Sequence, residues 1–178
     1  MNQVLEVIKR RKSIRKYSSR AVEKEKIIKM AEAARLSPSA SNKQPWRFVA
    51  VTDPDLVKQA TASALGSINA WARSAPCLMV GCSVRKDVIT HWIAEAASGV
   101  KFHILDLGIA MEHMVLQAEA LGLSTCWVGR FSERKLKKIL NIPAAWRVVS
   151  LLTVGYKHEK LSPKTKKKLP LEKILTFR

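Results

Sequence analysis

Arg11-Lys12-Ser13-Ile14-Arg15 and, further along, Ser37-Pro38-Ser39-Ala40-Ser41-Asn42-Lys43-Gln44-Pro45-Trp46 are the two stretches on which the reading of this chain turns. An extended backbone over residues 11–15 places Arg11, Ser13 and Arg15 on one face and Ile14 on the other. That face is a small phosphate clamp, because two guanidinium forks and a hydroxyl match the acceptor oxygens of a phosphate. Taken alone, such a string also reads as a solvated basic turn. The second stretch is dense in turn formers and short polar side chains, which marks a surface loop, and such loops are where ligands are held. Ser39, Ser41, Asn42 and Gln44 carry donors and acceptors suited to the edge of a heteroaromatic ring. Pro45-Trp46 stiffens the exit into an apolar strand, Arg47 to Val51. A clamp and an amide-rich loop together point to a nucleotide-like cofactor.

At 178 residues, 47% of them hydrophobic and seven of them glycine, the chain can bury one core and reads as one domain, residues 1–178. Linkers, internal repeats and low-complexity blocks are not apparent. The N-terminal residues carry no apolar signal core, so a cytoplasmic location is expected. Cys77, Cys82 and Cys126 lie in apolar runs, form no C-x-x-C pair and join no histidine cluster; buried thiols are expected and no metal site.

Hydrophobic period supplies the map. Val4, Leu5 and Ile8 fall on one side of a short helix, and Ile27, Ile28, Ala31 and Ala34 mark a second from about Val22 to Leu36. Asp53-Pro54-Asp55 starts another helix after the first strand, and Ala75-Pro76 introduces a second strand, Cys77 to Ser83. Residues from about Lys86 to Leu121 look mainly helical. Phe102 to Leu121 is apolar on almost every side, which predicts burial in a core or dimer interface. Asp106, Glu112, Gln117 and Glu119 interrupt it too often for a membrane span. Ser124 to Val128 reads as a strand, Ser132 as the cap of a helix ending near Leu140, and Val148 to Tyr156 as the last strand. Strands separated by helices give an α/β or α+β sandwich.

Four segments in order, residues 11–17 (RKSIRKY), 37–48 (SPSASNKQPWRF), Ala120 to Gly129, and Val149 to Tyr156 before a basic tail, give a chain that resembles the nitroreductase superfamily of FMN-dependent oxidoreductases. The resemblance covers nearly the whole chain. It implies an α+β three-layer sandwich with a mixed, largely antiparallel sheet flanked by helices, and a homodimer with FMN sites at its interface. By similarity, Arg11, Ser13 and Arg15 hold the FMN phosphate and ribityl chain, with Lys12 acting mainly through its backbone. Pro38, Ser39, Ala40, Ser41 and Asn42 match the loop that lies against the flavin, usually from the other subunit, with Gln44 as a companion. Val128, Gly129 and Arg130 match the segment passing close to the isoalloxazine ring, where a glycine permits close approach. Lys166 and Lys168 match a basic pair that reaches the phosphate; the competing reading is a solvated tail. The C-terminal extension, about 157–178, carries Leu171, Ile174, Leu175 and Phe177 and either embraces the partner or packs on its own subunit.

The resemblance also implies ping-pong transfer of electrons from NAD(P)H through FMN to a small-molecule acceptor, a nitroaromatic, a quinone or a relative. The cofactor carries that chemistry and the protein binds and orients, so no catalytic side chain is expected. His91, His103, His113 and His158 have no sequence partners that suggest a nucleophile or a metal. A P-loop and a dinucleotide-binding glycine fingerprint are absent. Arg130, beside Gly129, is a candidate for stabilising an anionic flavin or capturing a cofactor phosphate. Asp87 to Ser98 is the only stretch available for a lid over the acceptor, with His91-Trp92 able to stack on it or to pack it down.

The net charge of +18 exceeds what one phosphate needs. Steering of anionic substrates, which favours NADPH over NADH, is one explanation; a cellular interior rich in basic proteins is another. Nonspecific nucleic-acid binding is a third, but the basic residues are scattered and no aromatic-basic repeat accompanies them. A flavin-binding protein without efficient turnover is the remaining alternative.

Overall fold

The computed structural model describes residues 3–84, 95–162 and 167–178. Four strands, β1 (Trp46–Val51), β2 (Cys77–Ser83), β3 (Ser124–Val128) and β4 (Arg147–Gly155), form one sheet in the order β1-β2-β4-β3 with every pair antiparallel. A single parallel bridge, Ser13 to Thr125, adds the N-terminal stretch to the β3 edge. β2 is buried along its whole length, as a strand covered on both faces must be.

Five helices among the described residues supply the cover. α1 (Gln3–Arg10), α2 (Lys24–Arg35) and α4 (Phe102–Ala120) lie on one side, while α3 (Pro54–Ala64) and α5 (Glu133–Leu140) lie on the other. Cys77 and Met79 of β2 face the first layer with Met30, Leu107, Met111 and Met114. Leu78, Val80 and Cys82 face the second with Val57, Ala60 and Leu136. A bulge in the β2–β4 register leaves Val149 unpaired, so Val148 and Leu151 reach the same face despite their odd spacing. Three layers with an antiparallel sheet match the expected fold class.

Local chemistry sets the helix ends. Asp53 accepts the Leu56 N–H at 2.9 Å and Pro54 opens α3, while Ser132 caps α5 as expected. α2 starts at Lys24 and ends at Arg35, two residues inside and one short of the predicted span. The stretch from about Lys86 to Leu121 is mainly helical over its described part, as expected, with one break. A helical turn at 95–98 stops at Gly99, whose φ of 70° is the left-handed conformation that terminates helices, and α4 begins afresh at Phe102.

α4 buries His103, Asp106, Leu107, Ala110, Met111, Met114, Val115 and Ala118, as its nearly unbroken apolar surface requires. α1 buries nothing: Val4, Leu5 and Ile8 are exposed. Of the C-terminal extension, Lys157, His158 and Leu161 lie against residues 14–17 of the same chain, whereas Leu169, Leu171, Ile174 and Phe177 are exposed. No helix among the described residues is long and apolar enough to cross a membrane.

Candidate functional site

Residues 11–17 run extended along the β3 edge, and sheet pairing sets which way each side chain points. The Ile14 N–H donates to the Thr125 carbonyl at 3.0 Å, Ser18 N–H to the Tyr156 carbonyl at 2.9 Å, and Tyr17 bridges Lys157. Ile14 and Tyr17 are buried; Ser13 and Arg15 face outward and Arg11 is half-buried. The predicted alternation therefore holds. Tyr17 anchors the stretch, its hydroxyl donating to the Ile14 carbonyl at 2.6 Å and lying 2.7 Å from Thr153 Oγ1. Burial pushes this phenol's pKa upward, so it stays a neutral hydrogen-bonding group. The Arg15 guanidinium lies 5.5 Å from the ring centroid of Trp71, a cation–π arrangement that steadies an exposed cation.

Trp71 belongs to a 3-10 segment, Ser67–Ser74, that ties the clamp to the next element. Two residues earlier, buried Asn69 donates its Nδ2 to the Arg130 carbonyl at 2.8 Å. Val128 closes β3 and is buried, whereas Gly129 and Arg130 are exposed beyond it. A Cβ built on Gly129 meets no atom within 4 Å, so open space lies before this backbone.

The polar loop has the least ordinary backbone among the described residues. Ser41, Asn42 and Gln44 have φ of 50°, 53° and 49°, a left-handed conformation that costs a side-chain-bearing residue about 1 kcal/mol or more. Hydrogen bonds hold it there. Ser39 Oγ accepts the Gln44 N–H at 3.0 Å, the Ser39 carbonyl accepts Asn42 N–H at 2.9 Å, and the Gln44 side-chain amide donates to Asn42. From below, Asp106 on α4 accepts the Ala40 N–H on Oδ1 at 3.2 Å; its Oδ2 is buried with no hydrogen-bond partner among the described residues. Ser37 is tied to α2 through its Oγ, which donates to the Ala34 carbonyl. Pro38, Ser41, Asn42 and Gln44 are exposed, Ser39 and Ala40 partly so.

The Arg11–Arg15 stretch and the Gly129 segment share one edge of the sheet, four strand residues apart, and the loop lies elsewhere. Thr125, beside the clamp, pairs with Val154, whereas the loop enters β1 at Trp46, which pairs with Ser83 and through it with Arg147. Arg147 and Val154 lie at opposite ends of β4, a separation of roughly 20 Å at the usual strand rise. Lys168 is exposed, and Lys166, with the His91-Trp92 pair, lies outside the described residues.

Asn69, Trp71 and Asp106 are the residues of this region that the sequence reading did not single out as site components. Asp106 left a signal, a lone acid near the start of an otherwise apolar helix. Asn69 and Trp71 left none, since they act through a chain crossing that no local pattern announces.

The donor set suits a phosphate-bearing aromatic cofactor: guanidinium and hydroxyl groups at one end, an open glycine backbone about four strand residues away, and a neutral buried anchor between layers. A sequence model of the Nitroreductase family matches residues 8–70 and 58–156. A solved nitroreductase family protein from Clostridium difficile superposes with a TM-score of 0.81 at 30% identity, covering 99% of this chain and 98% of that one. An oxygen-insensitive NADPH nitroreductase of Helicobacter pylori is 29% identical over 170 residues, covering 78% of this chain and 79% of the relative. The FMN reductase [NAD(P)H] of Bacillus subtilis is 26% identical over 185 residues, covering 98% and 73%. With sheet order, edge clamp and family match agreeing over most of its length, this chain belongs to the nitroreductase family.

Proposed function

We propose that the protein is an FMN-dependent NAD(P)H oxidoreductase that delivers electrons to a small nitroaromatic, quinone or related acceptor. The observation that carries this reading is the Arg11–Ser13–Arg15 edge, held by pairing with β3 four residues before the open backbone of Gly129. Arg11, Ser13 and Arg15 would bind the phosphate, with Lys168 of the tail able to add charge. Gly129 and Arg130, braced by Asn69, would lie along the ring. When bound, FMN supplies the capacity to accept a hydride from one substrate and pass electrons to another. Taking turns at one face gives the ping-pong order. The cationic surface favours NADPH over NADH, with Arg130 a candidate for its extra phosphate.

The roughly 20 Å between clamp and strained loop within one chain supports a homodimer in which Pro38 to Gln44 of one subunit covers the site of the other. The exposed apolar residues of α1 and of the tail support the same assembly.

The test is the absorption spectrum of the purified, dialysed protein, followed by anaerobic addition of NADPH and then NADH. A yellow protein bleached by either donor is expected, and Arg11→Ala/Arg15→Ala protein should lose its colour on dialysis. A colourless protein that cannot be reconstituted with FMN overturns the reading. A yellow protein that neither donor bleaches is a flavin binder without turnover.

A further inference from the structure

A second cluster of cations lies where β2 ends, β4 begins and α4 starts, at the end of the sheet away from the Arg11–Arg15 clamp. Ser83, Lys101, His103, Ala145 and Arg147 line a cavity of about 310 Å³ there. Its floor is buried and polar: Ser83 is 2% and His103 5% exposed, and Ser83 Oγ lies 2.8 Å from His103 Nδ1. On the far side of the ring, His103 Nε2 lies 3.8 Å from Glu95 Oε1, too far for a hydrogen bond, and Glu95 is not among the described residues that line the cavity. The next acid along the helix, Asp106, accepts from Ala40.

The rim is positive. Arg147 and Lys101 are exposed, and neither has an ion-pair partner among the described residues. Lys101 also occupies the N-cap of α4, a 19-residue helix with no acidic residue in its first turn and no side-chain cap bond. A helix N-terminus carries partial positive charge and ordinarily attracts an acid, so a lysine there beside an arginine is unfavourable unless an anion sits between them. An anion held by Lys101 and Arg147 over the Ser83 hydroxyl would satisfy all three.

We propose that this cavity is an oxyanion site, taking a phosphoryl or carboxylate group of a small molecule, separate from the flavin clamp. Its described lining shares no residue with the clamp or with the loop Pro38 to Gln44, although that loop enters β1 at the same end of the sheet.

The experiment follows the imidazole signals of the full-length protein by NMR, at constant pH and ionic strength, as inorganic phosphate or acetate is added. The His103 signal, identified by its loss in His103→Gln, should shift saturably with at least one probe, and the tighter probe identifies the phosphoryl or the carboxylate class. Lys101→Ala/Arg147→Ala should weaken that response at least about tenfold, with Arg147→Ala alone intermediate. Arg11→Ala/Arg15→Ala should leave it intact. Because the chain is strongly basic overall, Lys24→Ala/Lys29→Ala, which removes two exposed charges from α2, is the reference; an equal loss there would show a general field and overturn the proposal. No shift with either probe, or a shift that survives in Lys101→Ala/Arg147→Ala, would overturn it as well.

Discussion

Asp106 on α4 and Ala40 in the polar loop lie 66 residues apart in sequence and meet through one hydrogen bond, Ala40 N–H to Asp106 Oδ1 at 3.2 Å. The contact fixes the entrance to a turn in which Ser41, Asn42 and Gln44 all hold positive φ. A strained turn persists only where surrounding bonds determine it. Replacing Asp106 with Ala leaves the Ala40 N–H without its acceptor, while Asp106→Asn retains a carbonyl oxygen there. Hydrogen exchange of residues 37–45 should therefore quicken about tenfold in Asp106→Ala, the equivalent of roughly 1.4 kcal/mol, and little in Asp106→Asn. Equal protection in wild-type and Asp106→Ala protein would show that Ser39 and Gln44 hold the turn unaided.

Glu23 and Tyr156 give the fold an acid-sensitive tie. The Tyr156 hydroxyl donates to Glu23 Oε2 at 2.6 Å, Arg20 pairs with Oε1 at 2.6 Å, and Lys26 donates to Tyr156 at 2.8 Å. The Tyr156 bond foremost, then the backbone and Arg20, holds the Glu23 carboxyl down at about 2. A depressed carboxylate contributes stability that is present above its unfolded pKa, about 4.3, and is lost as pH falls toward 2. Tyr156→Phe should lower the urea midpoint at pH 7, and the gap from wild type should narrow between pH 4.5 and 2.5. A gap constant with pH would assign the effect to packing.

The fold was legible where burial obeys a simple period. Cys77 to Ser83 and Ser124 to Val128 appear within a residue of their expected bounds, and Ser132 announced its helix by its capping hydroxyl. The break at Gly99 was hidden because the apolar content continues on both sides, and composition does not report one residue's φ. The outward facing of Ser13 and Arg15 around buried Ile14 was legible because alternation in an extended chain is a local property. The brace from Asn69 to Arg130 was not, because it joins residues 61 apart by way of tertiary packing. The placement of the polar loop at the other end of the sheet from the clamp follows from strand order, which no short motif encodes.

The cysteines should be chemically silent in the native protein. All three are buried and form no disulfide, and desolvation pushes the Cys77 thiol up to about 12 and Cys82 to about 11. The thiolate is the reactive form. Iodoacetamide at pH 8 should therefore label none of them until urea unfolds the chain, when mass spectrometry should find three additions. The same raised pKa values mean stability intact below the unfolded thiol value, about 8.5, and falling as pH rises toward 11, because only the unfolded thiols ionise. Rapid labelling of Cys77 at pH 8 would contradict the packing of β2.

Gly155 and Gly129 make opposite predictions for the same substitution. A Cβ on Gly155 would lie 2.6 Å from Pro76 Cδ and 3.0 Å from Tyr17 Cδ1. The proline ring cannot swing aside, and Tyr17 is held by Ile14 and Thr153, so the strain must spread into β4 or the clamp. Overpacking of this kind costs about 1–3 kcal/mol, and for a domain of this size each kcal/mol lowers Tm by roughly 2–4 °C. At Gly129 the added methyl meets nothing within 4 Å and the backbone φ is not positive, so Gly129→Ala should melt with the wild type. Its effect should fall on the ligand instead: if the backbone there lies against the flavin ring, a methyl group separates them and the FMN dissociation constant rises about tenfold or more. Calorimetry and flavin titration of the two variants side by side check both halves. A Gly129→Ala protein with unchanged melting and unchanged FMN affinity would move the ring away from this segment while leaving the clamp in place.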